Sequence, residues 1–276
     1  VPNGFRTAAI MTSRGCPYKC VFCHNSWRPS PVRFHSPEYV IREIRNLYHA
    51  YQVQALFFFD DNFLSRKSRV LEICELLRQE RLPIIWGCQA RAEQVSEELL
   101  RAIYAVGCRQ VTFGLESGSQ RVLDSLKTGG VTLEQNRRAV ELCHRLGFKT
   151  WGTFMIGSPG ETYEDIKATR RFMRSLPLSG AMVHVTTAFP GTPLWSQVVE
   201  RGQTAADPDW KNFTTADASV ELGLFSKNTL RKIRRKLMLA EVIFQGKFDW
   251  RSIMQLCLRN PKQVLTRFLK ILVTDR

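Results

Sequence analysis

At 276 residues, with 44% hydrophobic side chains, the chain is long enough to bury one sizeable core plus a small appendage. No run of about eighteen or more apolar residues occurs and no signal-peptide pattern leads it, so a membrane-spanning helix and secretion are not expected and a cytoplasmic setting is. Forty Lys and Arg against 25 Asp and Glu, a net charge of +15, point to an anionic partner: nucleic acid, an anionic lipid surface or an acidic substrate.

Strand patterns alternate with helical ones, which predicts a parallel sheet with crossover helices. The first strand, residues 8–13, runs into Cys16-Pro17-Tyr18-Lys19-Cys20-Val21-Phe22-Cys23. This C-x3-C-x2-C spacing places three thiols in one tight loop and suits a three-cornered grip on an iron–sulfur cube. Four cysteines on a [4Fe–4S] cluster occupy every iron and leave it to carry electrons; three leave one iron open to a small molecule. Gly15 lets the backbone turn at the loop entrance, and Phe22 is positioned to shield the cluster from solvent. Structural zinc is the alternative, and it normally needs a second C-x2-C or H-x3-5-H pair, which the chain lacks. The remaining cysteines, Cys74, Cys88, Cys108, Cys143 and Cys257, are scattered singly without disulfide spacing and read as small buried hydrophobes.

Further strands are expected at 54–60, 84–89, 110–116, 150–156 and 181–188, giving six β/α units and an α/β fold, a partial (β/α)6 TIM-like barrel. Ser36-Pro37-Glu38, Ser96 and Thr132 read as helix starts and Gly147 as a helix stop. Ligands of such barrels gather at the C-terminal ends of the strands. The second strand ends in Asp60-Asp61-Asn62, which also suits an ordinary turn. The third ends at Arg91, which is either offered to a carboxylate at the mouth or a plain surface charge. The fourth delivers Glu116-Ser117-Gly118-Ser119. The fifth delivers Ile156-Gly157-Ser158-Pro159-Gly160-Glu161-Thr162, where glycines permit close backbone approach and Pro159 fixes the turn.

Three segments, the cysteine run, Glu116–Ser119 and Gly157–Thr162, follow expected strands in this order and resemble the motifs of the radical S-adenosylmethionine (SAM) enzymes, over roughly residues 8 to 202. The resemblance implies Cys16, Cys20 and Cys23 as ligands of a [4Fe–4S] cluster, with SAM on the open iron. It further implies that Asp60, Asp61 and Asn62 meet the SAM amino group and Arg91 its carboxylate. Glu116 and Ser117 would both be SAM contacts, with Glu116 receiving the ribose hydroxyls, and Ile156 and Gly157 would meet the adenine. The activity implied is reductive cleavage of SAM to a 5′-deoxyadenosyl radical that takes hydrogen from a substrate carbon, with an electron donor such as flavodoxin or ferredoxin. Many superfamily members carry Gly-Gly-Glu where this chain has Asp60-Asp61-Asn62. That variant, with Thr12-Ser13-Arg14-Gly15-Cys16-Pro17-Tyr18, resembles the cobalamin-associated branch of methyltransferases and ring-forming enzymes acting on lipids, tetrapyrroles or secondary metabolites. No D-x-H-x2-G segment precedes the barrel, so either a cobalamin-binding domain lies upstream of Val1, which is the expectation, or this member works without cobalamin. A tRNA-modifying radical enzyme is the runner-up, and a non-catalytic metal-binding module with a basic RNA- or membrane-interacting tail is the rival from another class.

Residues 1–202 are thus expected to form the radical SAM core, and 203–276 a basic, mostly helical extension. In the stretch 264–273, Leu265, Phe268, Leu269 and Leu272 alternate with Arg267 and Lys270 at helical spacing; such a helix either packs on the barrel or docks on an anionic membrane surface. Nucleic acid is disfavoured, because no compact aromatic-basic module is present. Trp86 and Trp151 fall within strands and read as core, whereas Trp27, just past the cysteine loop, is better placed to face substrate. His24 and His144 are read as loop and helix residues near the mouth.

Overall fold

Strand β1 (Thr7–Ile10) begins a parallel sheet built from strands that are distant in sequence. A computed structural model describes residues 4–24, 31–127, 130–203, 213–215 and 221–244. The six long strands lie in the order β1, β4 (Ala55–Phe58), β5 (Ile85–Ala90), β6 (Cys108–Glu116), β7 (Lys149–Ile156) and β8 (Gly180–Val185), each parallel to its neighbour. β1 and β8 do not pair, so the expected six-unit barrel is open on one side. The short strands β2 (Ser13–Arg14) and β3 (Arg33–Phe34) form a separate antiparallel pair.

All six expected strands are present, with shifted ends. β1 stops at Ile10, because the Asp60 carboxylate takes the Thr12 N–H at 2.6 Å and turns the chain out of the sheet into β2. β8 stops at Val185, where the next residues cross toward Thr214 and Thr215.

The outer face of the sheet is covered by α1 (Pro37–Tyr51), α2 (Lys67–Glu80), α3 (Glu97–Ala105), α5 (Leu133–Arg145) and α6 (Tyr163–Ser175), while the short α4 (Gln120–Leu126) leads from β6 into α5. Their starts are the ones the sequence marks. Ser36 accepts the Tyr39 N–H and Ser96 the Leu99 N–H, and Thr132 forms a reciprocal box with Gln135. Gly147, at φ 85°, stops α5 in the left-handed conformation that favours glycine. Leu56, Phe58, Trp86, Cys88, Val111, Phe113, Leu115 and Phe154 point outward into the main core against these helices. Cys74 and Cys143 lie there too, and burial pushes both thiols up to about 12, which makes them inert fillers. Trp86 is core as expected, with its indole N–H on the Val106 carbonyl. Trp151 differs: it is half-buried and faces the barrel interior, because strand alternation sends its neighbour Thr150 outward.

Beyond β8, α7 (Pro193–Glu200) and α8 (Lys227–Phe244) follow. On the free edge of β8, the Val183 N–H meets the Met238 sulfur at 3.3 Å and the Val183 carbonyl accepts from Arg234 Nε at 2.7 Å. Val1–Met238 form one compact unit. Among the described residues no helix is long and apolar enough to cross a membrane. Trp27, Cys257 and the amphipathic stretch 264–273 lie outside the described residues.

Candidate functional site

The C-terminal ends of the strands carry the cysteine loop. It leaves β2 through Gly15, at φ 91°, whose N–H donates to Asp61 Oδ2 at 3.0 Å. It is then sewn to two helix ends: the Val21 N–H donates to the Leu126 carbonyl closing α4, and the Leu194 N–H opening α7 donates to the Val21 carbonyl, both at 3.0 Å. Cys20 is buried, and Cys16 and Cys23 are part-exposed. Phe22 packs with Ala188, Leu194, Trp195, Val198 and Leu222 in a small apolar cluster beneath α7.

Arg91, at the end of β5, is 7% exposed and is not a surface charge. Its Nη1 donates to Cys20 Sγ at 3.0 Å, its Nε pairs with Glu93, and its guanidinium lies 3.7 Å above the Tyr18 ring. Burial pushes the Cys16 thiol up, against the Tyr18 backbone hydrogen bond and the Arg91 charge, which pull it down.

The Asp-Asp-Asn strand end divides its work. Asp60 is committed inside the protein: Oδ1 accepts the Thr12 N–H, and Oδ2 accepts the Thr12 and Ser13 hydroxyls at 2.6 and 2.7 Å. That corrects the expectation that Asp60 forms part of an open rim for an amino group. Asp61 is exposed and tied to Gly15. Asn62 is 1% exposed, yet neither its amide oxygen nor its amide nitrogen has a partner among the described residues. A buried amide without hydrogen bonds costs about 1–3 kcal/mol, so Asn62 is poised for a polar ligand.

Glu116 sits at φ 60° where the β6–β7 register shifts, and it faces Lys127 Nζ at 3.6 Å. Burial raises its pKa, opposed by the Lys127 and Arg91 charges. Ser117 is wholly buried and bonds the Thr169 hydroxyl of α6 at 3.1 Å. Ile156 is wholly buried in the main core, and only its carbonyl is used, by the Thr186 N–H. The expectation that its side chain lies against an adenine is therefore corrected: period-two alternation turns it to the helix side. Gly157, at φ 80°, donates its N–H to Glu161 Oε2, as does Ser158 at 3.1 Å. Glu161 is wholly buried and its Oε1 has no partner among the described residues. Burial, resisted by those two N–H groups, pushes its carboxyl up to about 7.

The strand ends thus bring together the cysteine loop, Arg91, Asp61, Asn62, Glu116 and Gly157. His24 and His144 are exposed. Lys127, the buried counter-charge to Glu116 just past the end of α4, and Arg69 of α2, which clamps the loop through the Thr12 and His35 carbonyls, carry no local sequence signal, being single cations. Three soft thiol donors with a cation beside them, and an orphaned amide at the adjoining strand end, fit a thiolate-held iron–sulfur cluster with a polar ligand alongside. Among the described residues no three His, Cys, Asp or Glu side chains close on one point as a single metal ion would need.

The profile of the radical SAM superfamily matches residues 10–173. An uncharacterised methyltransferase of Pyrococcus horikoshii is 34% identical over 85% of this chain and 51% of its own length. The anaerobic magnesium-protoporphyrin IX monomethyl ester cyclase of Rubrivivax gelatinosus is 28% identical over 78% of the chain and 39% of its own length. Among solved structures, the radical SAM methyltransferase TsrM of Kitasatospora setae, with cobalamin and a [4Fe–4S] cluster bound, superposes at a TM-score of 0.63 with 22% identity, covering 74% of this chain and 41% of that one. The last likeness shows a shared fold. The chain spans about half the length of the curated relatives it matches, or less.

Proposed function

The chain belongs to the radical SAM superfamily, whose members use a [4Fe–4S] cluster and SAM, and on that premise we propose that it is the catalytic core of a cobalamin-associated radical SAM methyltransferase or cyclase. Bound here, the cluster and SAM supply one-electron cleavage of a sulfur–carbon bond and a 5′-deoxyadenosyl radical for hydrogen abstraction. The residues of the chain hold and shield. Cys16, Cys20 and Cys23 hold the cluster, and Arg91 donates a hydrogen bond to the Cys20 sulfur. Phe22 and its apolar cluster exclude water from one side. Asn62 and the backbone around Gly157 receive the polar parts of SAM, and the carboxylate of Glu116, charge-balanced by Lys127, faces the ribose hydroxyls. Asp60 acts at one remove by holding the loop.

The observation that carries the reading is the placement of three thiols, with Arg91 on one of them, at the C-terminal ends of a parallel sheet. The methyltransferase and cyclase names of the relatives support the branch. The substrate is proposed as a lipid, a tetrapyrrole or a secondary metabolite, the reductant as an electron donor such as flavodoxin or ferredoxin, and the cobalamin as held by a separate domain. Peripheral membrane contact through the basic C-terminal helix belongs to the same proposal.

Anaerobic reconstitution with iron and sulfide, then dithionite and SAM, is expected to yield 5′-deoxyadenosine, scored by mass. Cys16→Ala is expected to reduce the yield at least a hundredfold while the thermal melt of the barrel persists. Full cleavage in that variant would overturn the ligand assignment.

A further inference from the structure

Strand register stacks the inward-facing residues of the barrel in layers. The lowest complete layer is Ala9, Phe57, Gly87, Gln110 and Lys149, paired in turn across five strands. Two residues further along each strand come Met11, Phe59, Gln89, Thr112 and Trp151. Met11 and Phe59 are 50% and 59% exposed, although monomeric proteins rarely leave such large apolar side chains grouped in the open. Beneath them lies a cavity of about 530 Å³, lined by Ala9, Phe57, Ile85, Gly87, Gln110 and Lys149 among others. That volume falls within the range of small-molecule sites.

Charge at this cavity has one sign. Lys149 and Arg109 line it, and no Asp or Glu does. Arg109 is spent on the Tyr104 and Cys108 carbonyls and on the Tyr104 ring. Lys149 is exposed and has no hydrogen-bond or ion-pair partner among the described residues. An apolar chamber with an uncommitted ammonium at its lower end complements a molecule with an apolar body and one anionic terminus.

We propose that the lower lumen binds the distal, anionic end of an apolar substrate, with Lys149 as its anchor. The substrate role rests on the radical SAM reading above. The lumen then acts as a ruler. From Lys149 to Met155, level with the strand ends, is six residues, about 20 Å along the strand, or about 16 Å along the axis for a strand tilt of about 36°. The carbon presented at the strand ends therefore lies on the order of 15 Å from the anion, which selects an elongated or broad planar molecule over a compact one.

The test needs neither cluster nor reductant, so it fails or succeeds independently of 5′-deoxyadenosine formation. The probe is 8-anilinonaphthalene-1-sulfonate, an aromatic anion that fluoresces in apolar sites, titrated into the full chain at low salt. One saturable site is expected, displaced by decanoate and at least threefold less well by decanol. Lys149→Gln should weaken binding about threefold and Lys149→Glu about tenfold, and Ala9→Phe, which fills the chamber, should abolish it. Lys167→Gln, on the far exposed face of α6, should leave it unchanged. Absence of saturable binding, equal displacement by decanol, or equal losses in the Lys149 and Lys167 variants would each overturn the proposal. Thermal melts matching the parent protein confirm that each variant is folded.

Discussion

Both oxygens of the Asp60 carboxyl are engaged inside the protein, where Thr12 and Ser13 supply three donors at 2.6 to 2.7 Å and the side chain is buried. A hydrogen bond contributes about 0.5–1.5 kcal/mol, and a buried donor left unpaired costs about 1–3 kcal/mol, so this side chain holds the cysteine loop against the sheet. Asp60→Ala is expected to cost about 3–5 kcal/mol in urea unfolding and to lower the iron retained after reconstitution. Asp60→Asn should cost about half as much, since its amide oxygen keeps the Thr12 N–H and the two hydroxyls can turn to accept. Glu161 behaves differently, since burial lifts its carboxyl from an ordinary 4.5 to about 7. A carboxyl whose folded pKa exceeds its unfolded value binds its proton more tightly when folded. Its contribution is thus complete below about 4.5 and is lost as pH rises through about 7. The parent protein should therefore lose on the order of 3 kcal/mol relative to Glu161→Gln between pH 4.5 and 8, as read from melts of both proteins across that range. The two residues looked alike in the sequence, as acids at strand ends or in loops. Only their partners separate a carboxyl that clamps Thr12 and Ser13 from one that favours its proton.

At the scale of elements, α6 decides the shape of the turn after β6. The Gly118 N–H donates to the Thr169 hydroxyl at 3.0 Å, and a Cβ at Gly118 would stand 2.5 Å from Phe172 Cβ and 2.7 Å from the Ala168 carbonyl oxygen. The backbone of the turn lies directly on the helix. Gly118→Ala should cost about 2–3 kcal/mol, visible as a lower denaturant midpoint with an unchanged slope. Ser117 and Ser119 are also committed there, to Thr169 and Asp165. Burial works against the Asp165 carboxylate, yet hydrogen bonds from Ser119, Thr162 and Arg121 hold it well below the usual carboxylate range. The Glu-Ser-Gly-Ser run was legible as a motif and as a strand end. That Ser117 and Gly118 dock a helix some fifty residues downstream was not, since nothing in their local pattern distinguishes a loop packed on α6 from one facing the barrel mouth.

For the molecule as a whole, the open side of the sheet is the governing feature. β1 and β8 stay unpaired, α8 covers the free edge of β8, and Met11, Phe59 and Met182 remain in the open on the inner face. Local information determined a great deal of this architecture by itself. Period-two and helical patterns named the six strands, Ser36, Ser96 and Thr132 named three helix starts, and the spacing of Cys16, Cys20 and Cys23 placed three thiols in one loop, because propensity, capping and tight-loop spacing act within a few residues. The tertiary structure alone decided which side chains on those elements are free. It spent Asp60 on Thr12, 48 positions earlier, buried Ile156, gave Cys20 to Arg91 and Glu116 to Lys127, and aligned Ala9, Phe57, Gly87, Gln110 and Lys149 across five strands. Those outcomes follow from register and packing between segments far apart in the chain, and a shift of one residue in any strand would exchange every inward side chain for an outward one.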